Sequence, residues 1–222
     1  MGAGAGGVAP SRAAGRRRRV TERRRRGLWN RALSGMMPVV VRGQATADGY
    51  ARRPTPGVDG EILIHTIGHS DHPIAALIEV LRQHAIGVVV DVRSQPYSRW
   101  TPQFNRELLA HDLEAAGIRY RFMGDRLGGR PGDESLYPQS DGQPDYRLLE
   151  QTPAYQAGIQ ELLRAAASAR VAVMCSEGDY HHCHRHLLIS QSLLERGVRV
   201  LHILPDGALV PAERVARQLT LF

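Results

Sequence analysis

Short apolar runs alternate with segments of helical periodicity from residue 61 onward. Five runs have the length of strands, and two of these are almost entirely apolar, as strands covered on both faces are. Between them, apolar residues recur every three to four positions, which predicts helices. The predicted strands are 62–67, 88–92, 118–122, 171–174 and 198–204, and the predicted helices cover 74–81, 104–116, 155–166 and 184–195.

This alternation predicts the fold class, because helices between strands imply crossover connections and parallel strands. We expect an α/β domain over residues 61–205: a three-layer, mainly parallel five-stranded sheet with helices on both faces, Rossmann-like in its layering. Ser70 or Asp71 is the predicted cap of the first helix. The Gly-, Pro- and Asp-rich stretch from about 124 to 151 is a predicted long loop, and such loops are usually functional or mobile.

Residues 1–60 differ from the rest of the chain in composition and charge. They are rich in Gly, Ala, Arg and Pro, which predicts a disordered leader. They hold 13 Arg against three acids, a net +10, whereas residues 61–222 hold 16 Arg against 19 acids, a net −3. The eight Arg within 16–26 could hold nucleic acid or acidic lipid. The alternatives are a solvated tail, or a leader that is not translated because the start is Met36 or Met37.

The chain shows neither a membrane-spanning apolar stretch nor the apolar segment of a signal peptide behind its basic residues. We therefore expect a cytoplasmic protein with no membrane partner. It has two cysteines, Cys175 and Cys183. In such a chain they are expected to be reduced thiols, structural or reactive, and no disulfide scaffold is expected.

Polar side chains follow four of the predicted strands. Ligands of an open parallel sheet bind at the carboxyl ends of the strands, so these side chains predict one shared site. They are Thr66, Gly68, His69 and Ser70 after the first strand, Asp91, Arg93, Ser94 and Arg99 after the second, Gly124, Asp125, Gly128 and Gly129 after the third, and Cys175, Ser176 and Glu177 after the fourth.

Several of these segments are also motifs of a known family. They are Thr-Ile-Gly-His-Ser at 66–70, Asp-Val-Arg-Ser-x-Pro-x-Ser-Arg at 91–99, Phe-Asn at 104–105, Leu-Gly-Gly at 127–129, Cys-x-Glu at 175–177 with Cys-His-Arg at 183–185, and His-Ile-Leu at 202–204. In this order, over about residues 62–205, they resemble the domain of unknown function 488 family. The resemblance implies a compact α/β domain and brings no established reaction.

The segment from Cys175 to Arg185 supports three chemical interpretations. Cys183 at a helix start favours a thiolate, as a nucleophile or as half of a redox pair with Cys175. The two cysteines with His181, His182 or His184 could bind zinc, but their spacing is wider than in structural zinc sites, so no metal is predicted. In the third, Glu177 and Asp91 are acid and base while Arg93, Arg99 and Arg185 hold an anionic substrate such as a nucleotide.

Each of these interpretations has a plain structural alternative. Cys175 could simply pack at a strand end, since free cysteines are usually buried. Asp91 and Arg93 could form one internal salt bridge, and His69 and His202 could be turn and core histidines. The predicted site residues are Glu177, Asp91 and Cys183 as catalytic groups, and Thr66, Gly68, His69, Ser70, Arg93, Ser94, Arg99, Cys175, His184 and Arg185 as anion- or ligand-binding groups. No cofactor is predicted.

The last five residues resemble a short docking peptide. Gln218, Leu219, Leu221 and Phe222 match the Gln-Leu-x-Leu-Phe peptide by which bacterial replication and repair proteins dock on the sliding clamp. An extended tail offers its amide for hydrogen bonding and its apolar side chains to pockets. The alternative is a tail that folds back, with Val215, Leu219 and Phe222 covering the domain's own surface.

Together these features predict an uncharacterised, DNA-associated enzyme that acts on a nucleic-acid base, nucleotide or phosphodiester. The sliding clamp would recruit it through the tail, residues 206–222, and the leader would add phosphate affinity. A non-catalytic binding or thiol-redox sensing module is the first alternative, and a zinc-binding protein is the second.

Overall fold

A computed structural model describes residues 61–139 and 142–216. The predictions about the leader, and about Gln218, Leu219, Leu221 and Phe222, lie outside these ranges. The strands are β1 (Leu63–Gly68), β2 (Val88–Asp91), β3 (Arg119–Phe122), β4 (Val171–Cys175), β5 (Arg199–Ile203) and β6 (Leu209–Pro211). The α-helices are α1 (Ile74–Gln83), α2 (Arg106–Ala115), α3 (Gly124–Leu127), α4 (Tyr146–Gln151), α5 (Pro153–Ser168) and α6 (Gln191–Glu195).

The strands form one mixed sheet in the order β3-β2-β4-β1-β5-β6. β1 pairs in parallel with β4 and β5, and β2 pairs in parallel with β3 and β4. The α/β class is therefore confirmed. In the Rossmann order the first two strands are neighbours, but here β4 separates them. The register aligns Gly68 with Cys175 and Asp91 with Met174, so the carboxyl ends of β1, β2 and β4 lie level.

The prediction of five strands is wrong, because the sheet has a sixth strand, β6, which pairs with β5 in the antiparallel direction. β6 has only three residues and ends in a proline, which is too little pattern for a sequence-based prediction and suits an edge strand. The residues after β6 stay in contact with the domain through the side chain of Gln191. Its Nε2 donates to Glu213 O (3.0 Å), and its Oε1 accepts from the backbone N–H of Val215 (2.9 Å). Val215, which would cover the domain's surface if the tail folded back, is 40 % exposed.

Apolar composition explains why β2 and β4 lie inside the sheet, each with a strand on either side. Every residue of both strands is buried, so side chains on both faces are covered. α5 begins as its sequence indicates, since the Thr152 hydroxyl accepts the Tyr155 amide (3.2 Å) and Pro153 is in the first turn. Its buried stripe of Tyr155, Ile159 and Leu162 faces the core.

Helix boundaries differ from the prediction at three places. Pro73, not Ser70 or Asp71, precedes α1, and no side chain caps that helix. A 3-10 turn (Pro102–Phe104) comes before α2, so Leu109 and Leu113 face the core and Leu108 is 52 % exposed. The predicted long loop contains α3, a 3-10 turn (Glu134–Leu136) and α4. These short elements follow local turn geometry, which apolar periodicity does not report.

The predicted helix 184–195 begins with a π-helical segment, Arg185–Ser190, and continues as α6. Within this segment two side chains donate hydrogen bonds to backbone carbonyls five residues earlier. The Ser190 hydroxyl donates to Arg185 O (2.7 Å), and the Gln191 amide donates to His186 O (3.1 Å). π-helical turns are often found at functional sites, and this one directly follows Cys183 and His184.

None of the helices among the described residues combines the length and apolar character that a membrane crossing requires.

Two buried histidines lie in the sheet itself. The pKa of His65 is lowered to about 4, mainly by burial and then by His84 and Arg170. The pKa of His202 is lowered to about 3, again mainly by burial, with His186, Arg185 and His181 adding to it. His202 Nδ1 is 2.7 Å from Thr66 Oγ1, its Nε2 is 3.0 Å from His186 Nδ1, and Tyr180 stacks on its ring. Both rings are therefore neutral in the folded protein at neutral pH.

We expect the free energy of unfolding to fall as the pH drops from about 6.5 toward 4. In this window the unfolded chain takes up protons at His65 and His202, and the folded chain does not. His202→Gln removes one of these sites, so its unfolding free energy should depend less on pH, from a lower starting value. Urea unfolding at several pH values checks this, with exposed His111→Gln as control. Parallel curves for wild type and His202→Gln would contradict the assignment.

Candidate functional site

A pocket of about 440 Å³ opens at the carboxyl ends of β2 and β4. This is the edge at which the sequence predicted a shared site. Its walls come from the segment after β2, the segment between α3 and α4, and the segment from the end of β4 to His184. The lining residues are Arg93, Ser94, Gln95, Gly129, Arg130, Gln143, Tyr146, Cys175, Ser176, Glu177, His182, Cys183 and His184.

Two sulfur atoms and one imidazole nitrogen meet at this pocket. Cys175 is the last residue of β4, while Cys183 and His184 directly precede the π-helical segment. His184 Nδ1 is 3.7 Å from Cys175 Sγ and 3.9 Å from Cys183 Sγ, and all three atoms lie within 4.8 Å of one another. These three residues are a donor set that could hold a metal ion. The chain turns back between the strand end and the helix start, so the wide sequence spacing becomes a short distance in space.

The other nitrogen of His184 fixes the state of the ring. Nε2 lies 3.1 Å from the carbonyl oxygen of Val92, and a carbonyl can only accept a hydrogen bond. Nε2 therefore carries the proton, and in the neutral ring the lone pair of Nδ1 faces the two sulfur atoms. Gly129 packs against the same ring: a Cβ atom at this position would lie 2.5 Å from His184 Cγ.

The two thiols have opposite pKa shifts. The pKa of Cys175 is lowered well below its usual value, against the effect of burial, chiefly because the Cys183 thiol donates a hydrogen bond to it. The same hydrogen bond and burial raise the pKa of Cys183. The sequence interpretation gave the thiolate to Cys183 because of its helix start. In the structure the two thiols are neighbours, and the pKa that is lowered is that of Cys175.

Asp91 and Arg93 form a buried ion pair. Arg93 NH2 is 2.6 Å from Asp91 Oδ2, and Arg93 Nε is 2.9 Å from Oδ1. The same carboxylate accepts the Tyr120 hydroxyl (2.7 Å), while Arg93 also donates to Phe104 O (2.8 Å) and contacts His69 Nε2 (3.0 Å). The internal salt bridge, named above as the alternative, is the observed arrangement. Arg93 lines the pocket, and Asp91, at 0 % exposure, does not.

Arg185 supports the segment that carries Glu177. Its side chain is almost fully buried, and its guanidinium donates to the carbonyl oxygens of Glu177 and Gly178. Gly68 lies under the same segment, where a Cβ atom would collide with Glu177 O. Glu177 itself is exposed and lines the pocket. Arg185 does not line it, so its position is that of a support for the loop.

The remaining predicted ligand-binding residues divide between the pocket and other places. Ser94 lines the pocket, and its hydroxyl accepts the Arg130 amide (2.9 Å). Thr66 is buried against His202, and His69 Nδ1 is 2.7 Å from Ser70 O. Arg99 is exposed and stacks on Trp100, with 4.7 Å between its guanidinium carbon and the ring centroid. The pocket brings together Arg93, Ser94, Cys175, Glu177, Cys183 and His184, and leaves out Asp91, Thr66, Gly68, His69, Ser70, Arg99 and Arg185.

Four lining residues were not predicted from the sequence: Gln95, Arg130, Gln143 and Tyr146. Arg130, Gln143 and Tyr146 come from the stretch predicted as a long loop, and its length was the signal that could have found them. Burial raises the pKa of Tyr146 to about 12, so its hydroxyl stays protonated at neutral pH and can donate a hydrogen bond.

We expect Gly129→Ala to destabilise the fold by about 1–3 kcal/mol, because the new methyl group would overlap the His184 ring. Gly132→Ala is the matched control, since its methyl group meets nothing within 4 Å, and we expect its effect to stay within about 0.5 kcal/mol. Denaturant unfolding measures both. Equal stabilities of the two variants would show that the ring does not need this close approach.

Comparison with known proteins gives one family and no characterised relative. The model of the DUF488 family, described as a domain of unknown function, matches residues 73–191. No curated protein and no solved structure matches the chain. The matched range contains every residue that lines the pocket. The chain belongs to the DUF488 family.

Proposed function

We propose that this chain is an enzyme that acts on a nucleic-acid base, nucleotide or phosphodiester in the pocket at the carboxyl ends of β2 and β4. One observation carries the proposal: Glu177, Arg93 and Arg130 line the same pocket as the sulfur–imidazole cluster, which consists of Cys175, Cys183 and His184. An acid or base beside cations is the equipment needed to bind an anionic substrate and move a proton on it.

The two arginines differ in what they contribute. Arg93 is held by Asp91, Phe104 and His69, so it presents a fixed and partly neutralised charge at the pocket wall. Arg130 is exposed at the rim, and its backbone amide is held by the Ser94 hydroxyl. Arg130 is therefore the group that we assign to binding the substrate's phosphate.

Glu177 is our candidate for the acid or base. Among the described residues that line the pocket, it is the one carboxylate. The other predicted carboxylate, Asp91, is tied to Arg93 and Tyr120 away from the pocket. We therefore assign proton transfer to Glu177 alone and give Asp91 the task of holding Arg93.

A thiol-redox module is the second candidate, because Cys175 and Cys183 place their sulfur atoms within 4.8 Å of each other. Such a module would interconvert two thiols and one disulfide when exposed to a cellular disulfide or peroxide. Mass spectrometry after peroxide treatment tests it. A loss of the mass of two hydrogen atoms per chain, reversed by a dithiol reductant, supports sensing, and unchanged thiols contradict it.

We also propose, from sequence alone, that the enzyme works in the cytoplasm in association with DNA. The Arg-rich leader would add phosphate affinity that falls with salt, and the C-terminal peptide would recruit the protein to the sliding clamp.

We expect Glu177→Gln to lose most of the turnover of the pocket's substrate and to keep its binding, because the amide preserves shape and loses proton transfer. Arg130→Gln should mainly weaken binding, by about tenfold or more. Turnover and affinity are measured on a panel of nucleotides and short oligonucleotides. Exposed Glu114→Gln and Arg164→Gln are the matched controls, since both lie outside the pocket. If the pocket variants behave like these controls, the site assignment fails.

We expect the double variant Leu221→Ala, Phe222→Ala to abolish clamp binding, because it removes the apolar side chains of the peptide. Thr220→Ala, at the variable position, is the control and should bind like the wild type. Calorimetry with purified clamp measures the affinities. No binding by the intact chain at tens of micromolar clamp would exclude recruitment. A loss of several kcal/mol of folding stability in the double variant would instead favour the folded-back tail.

A further inference from the structure

We propose that Cys175, Cys183 and His184 bind a thiophilic divalent metal ion of the zinc class, with one coordination position open to the pocket beside Glu177. The binding site is argued from its own geometry. Its role, activation of water for hydrolysis, rests on the proposed function.

The distances between the donor atoms fit tetrahedral coordination. With metal–sulfur and metal–nitrogen bonds of about 2.3 and 2.1 Å, a sulfur and a nitrogen on one tetrahedral ion lie about 3.6 Å apart. The observed distances from His184 Nδ1 are 3.7 Å to Cys175 Sγ and 3.9 Å to Cys183 Sγ. Both nitrogen–sulfur distances therefore match a tetrahedral ion to within a few tenths of an ångström. The two sulfur atoms lie within 4.8 Å of each other and would have to approach to about 3.8 Å to share the ion.

The histidine is prepared for the role of a ligand. A metal-binding imidazole typically donates its other N–H to a carbonyl or carboxylate, which sets its tautomer and orientation. His184 does this through Nε2 and Val92 O, so the lone pair of Nδ1 is directed at the sulfur atoms. The Val92 carbonyl follows β2, while the cysteines come from β4 and from the start of the π-helical segment. Two separate parts of the fold thus supply the three ligands, and the segment after β2 orients the histidine.

The donor types select the metal. Two thiolates and one imidazole suit zinc and other thiophilic transition metals, and do not suit magnesium or calcium, which prefer oxygen ligands. Structural zinc sites usually close with four protein ligands, whereas catalytic sites have three and leave one position for water or substrate. Among the described residues the cluster has three members, and all three line the pocket. The arrangement is that of a catalytic site.

Glu177 lines the same pocket and is placed to act on a water molecule at the open position. A bound divalent metal makes a water molecule more acidic, and Glu177 accepts the proton that this water loses. The hydroxide then adds to the electrophilic atom of the substrate. The bond to the leaving group breaks, and that group departs with the proton returned by Glu177. The products contain the elements of one water molecule, so the step needs no oxidant or reductant. Zinc enzymes that remove amino groups from nucleobases by hydrolysis combine the same ligand types with a glutamate that does not bind the metal.

The test is metal content and spectroscopy of the full-length chain. We expect one zinc ion per chain by elemental mass spectrometry after incubation with zinc and gel filtration. Replacement by cobalt(II) should give the intense thiolate charge-transfer bands and visible bands of a tetrahedral site. Cys175→Ser, Cys183→Ser and His184→Gln should each weaken cobalt binding by about tenfold or more. His182→Gln, another lining histidine, and Glu177→Gln should retain it.

Zinc well below one equivalent, an octahedral cobalt spectrum, or a Cys175–Cys183 disulfide in protein purified without reductant would overturn the metal site. So would equal cobalt affinity in His184→Gln and His182→Gln. The cobalt spectrum of the wild-type chain does not depend on whether the cysteine variants fold. A stoichiometric tetrahedral site with no nucleotide turnover would leave the metal site standing and overturn the proposed function. Turnover that needs Glu177 but persists after complete metal removal would overturn the metal site's role alone.

Discussion

The buried ion pair of Asp91 and Arg93 is the interaction on which the pocket depends. Charges at this depth are tolerated only when they are paired and their remaining hydrogen-bonding groups are satisfied, and removal of one partner typically costs about 3–5 kcal/mol. Asp91 is satisfied by Arg93 and Tyr120, and Arg93 by Asp91, Phe104 and His69. The pair thereby ties the end of β2 to β3, to the segment after β1 and to the turn before α2.

Two contacts that shape the site follow directly from this anchored segment. Val92 lies between the paired residues, and its carbonyl oxygen accepts from His184. Ser94 comes next, and its hydroxyl holds the Arg130 amide. A shift of this segment would therefore turn the His184 ring and release the rim of the pocket together. The opposite wall depends on a second buried guanidinium, that of Arg185, which fixes the Glu177 segment through its carbonyl groups. Gly68 and Gly129 leave room for these close approaches.

The sequence predicted much of the fold because the central strands are nearly continuous apolar runs and α5 carries both its cap and its apolar stripe. It did not predict β6 or the π-helical segment, since three residues have no periodicity and the π turn involves the side chains of Ser190 and Gln191. The location of the site could be predicted from the ends of the strands, but the role of each residue in the site could not. Asp91 and Glu177 look alike in sequence, but only the structure shows that one is locked in an ion pair and the other faces the pocket. Likewise, the sequence offered the proximity of Cys175 and Cys183 only as one alternative, because their distance depends on how the chain turns between a strand and a helix.

The positive charge of the chain lies in residues 1–60 and not in the part that forms the pocket. Residues 61–222 have a net charge of −3, and Arg93 is paired with Asp91. Their summed field does not attract nucleic acid from a distance, because long-range steering follows the net charge. Arg130 can still hold a single phosphate at contact range, where one guanidinium and one anion form charge-assisted hydrogen bonds. The DNA association proposed above would therefore have to come from residues 1–60 with their net +10, or from a partner that itself binds DNA. For the proposed reaction the pocket would then need to recognise only one small group, and its exposed arginine, its carboxylate and its sulfur–imidazole cluster suit that task.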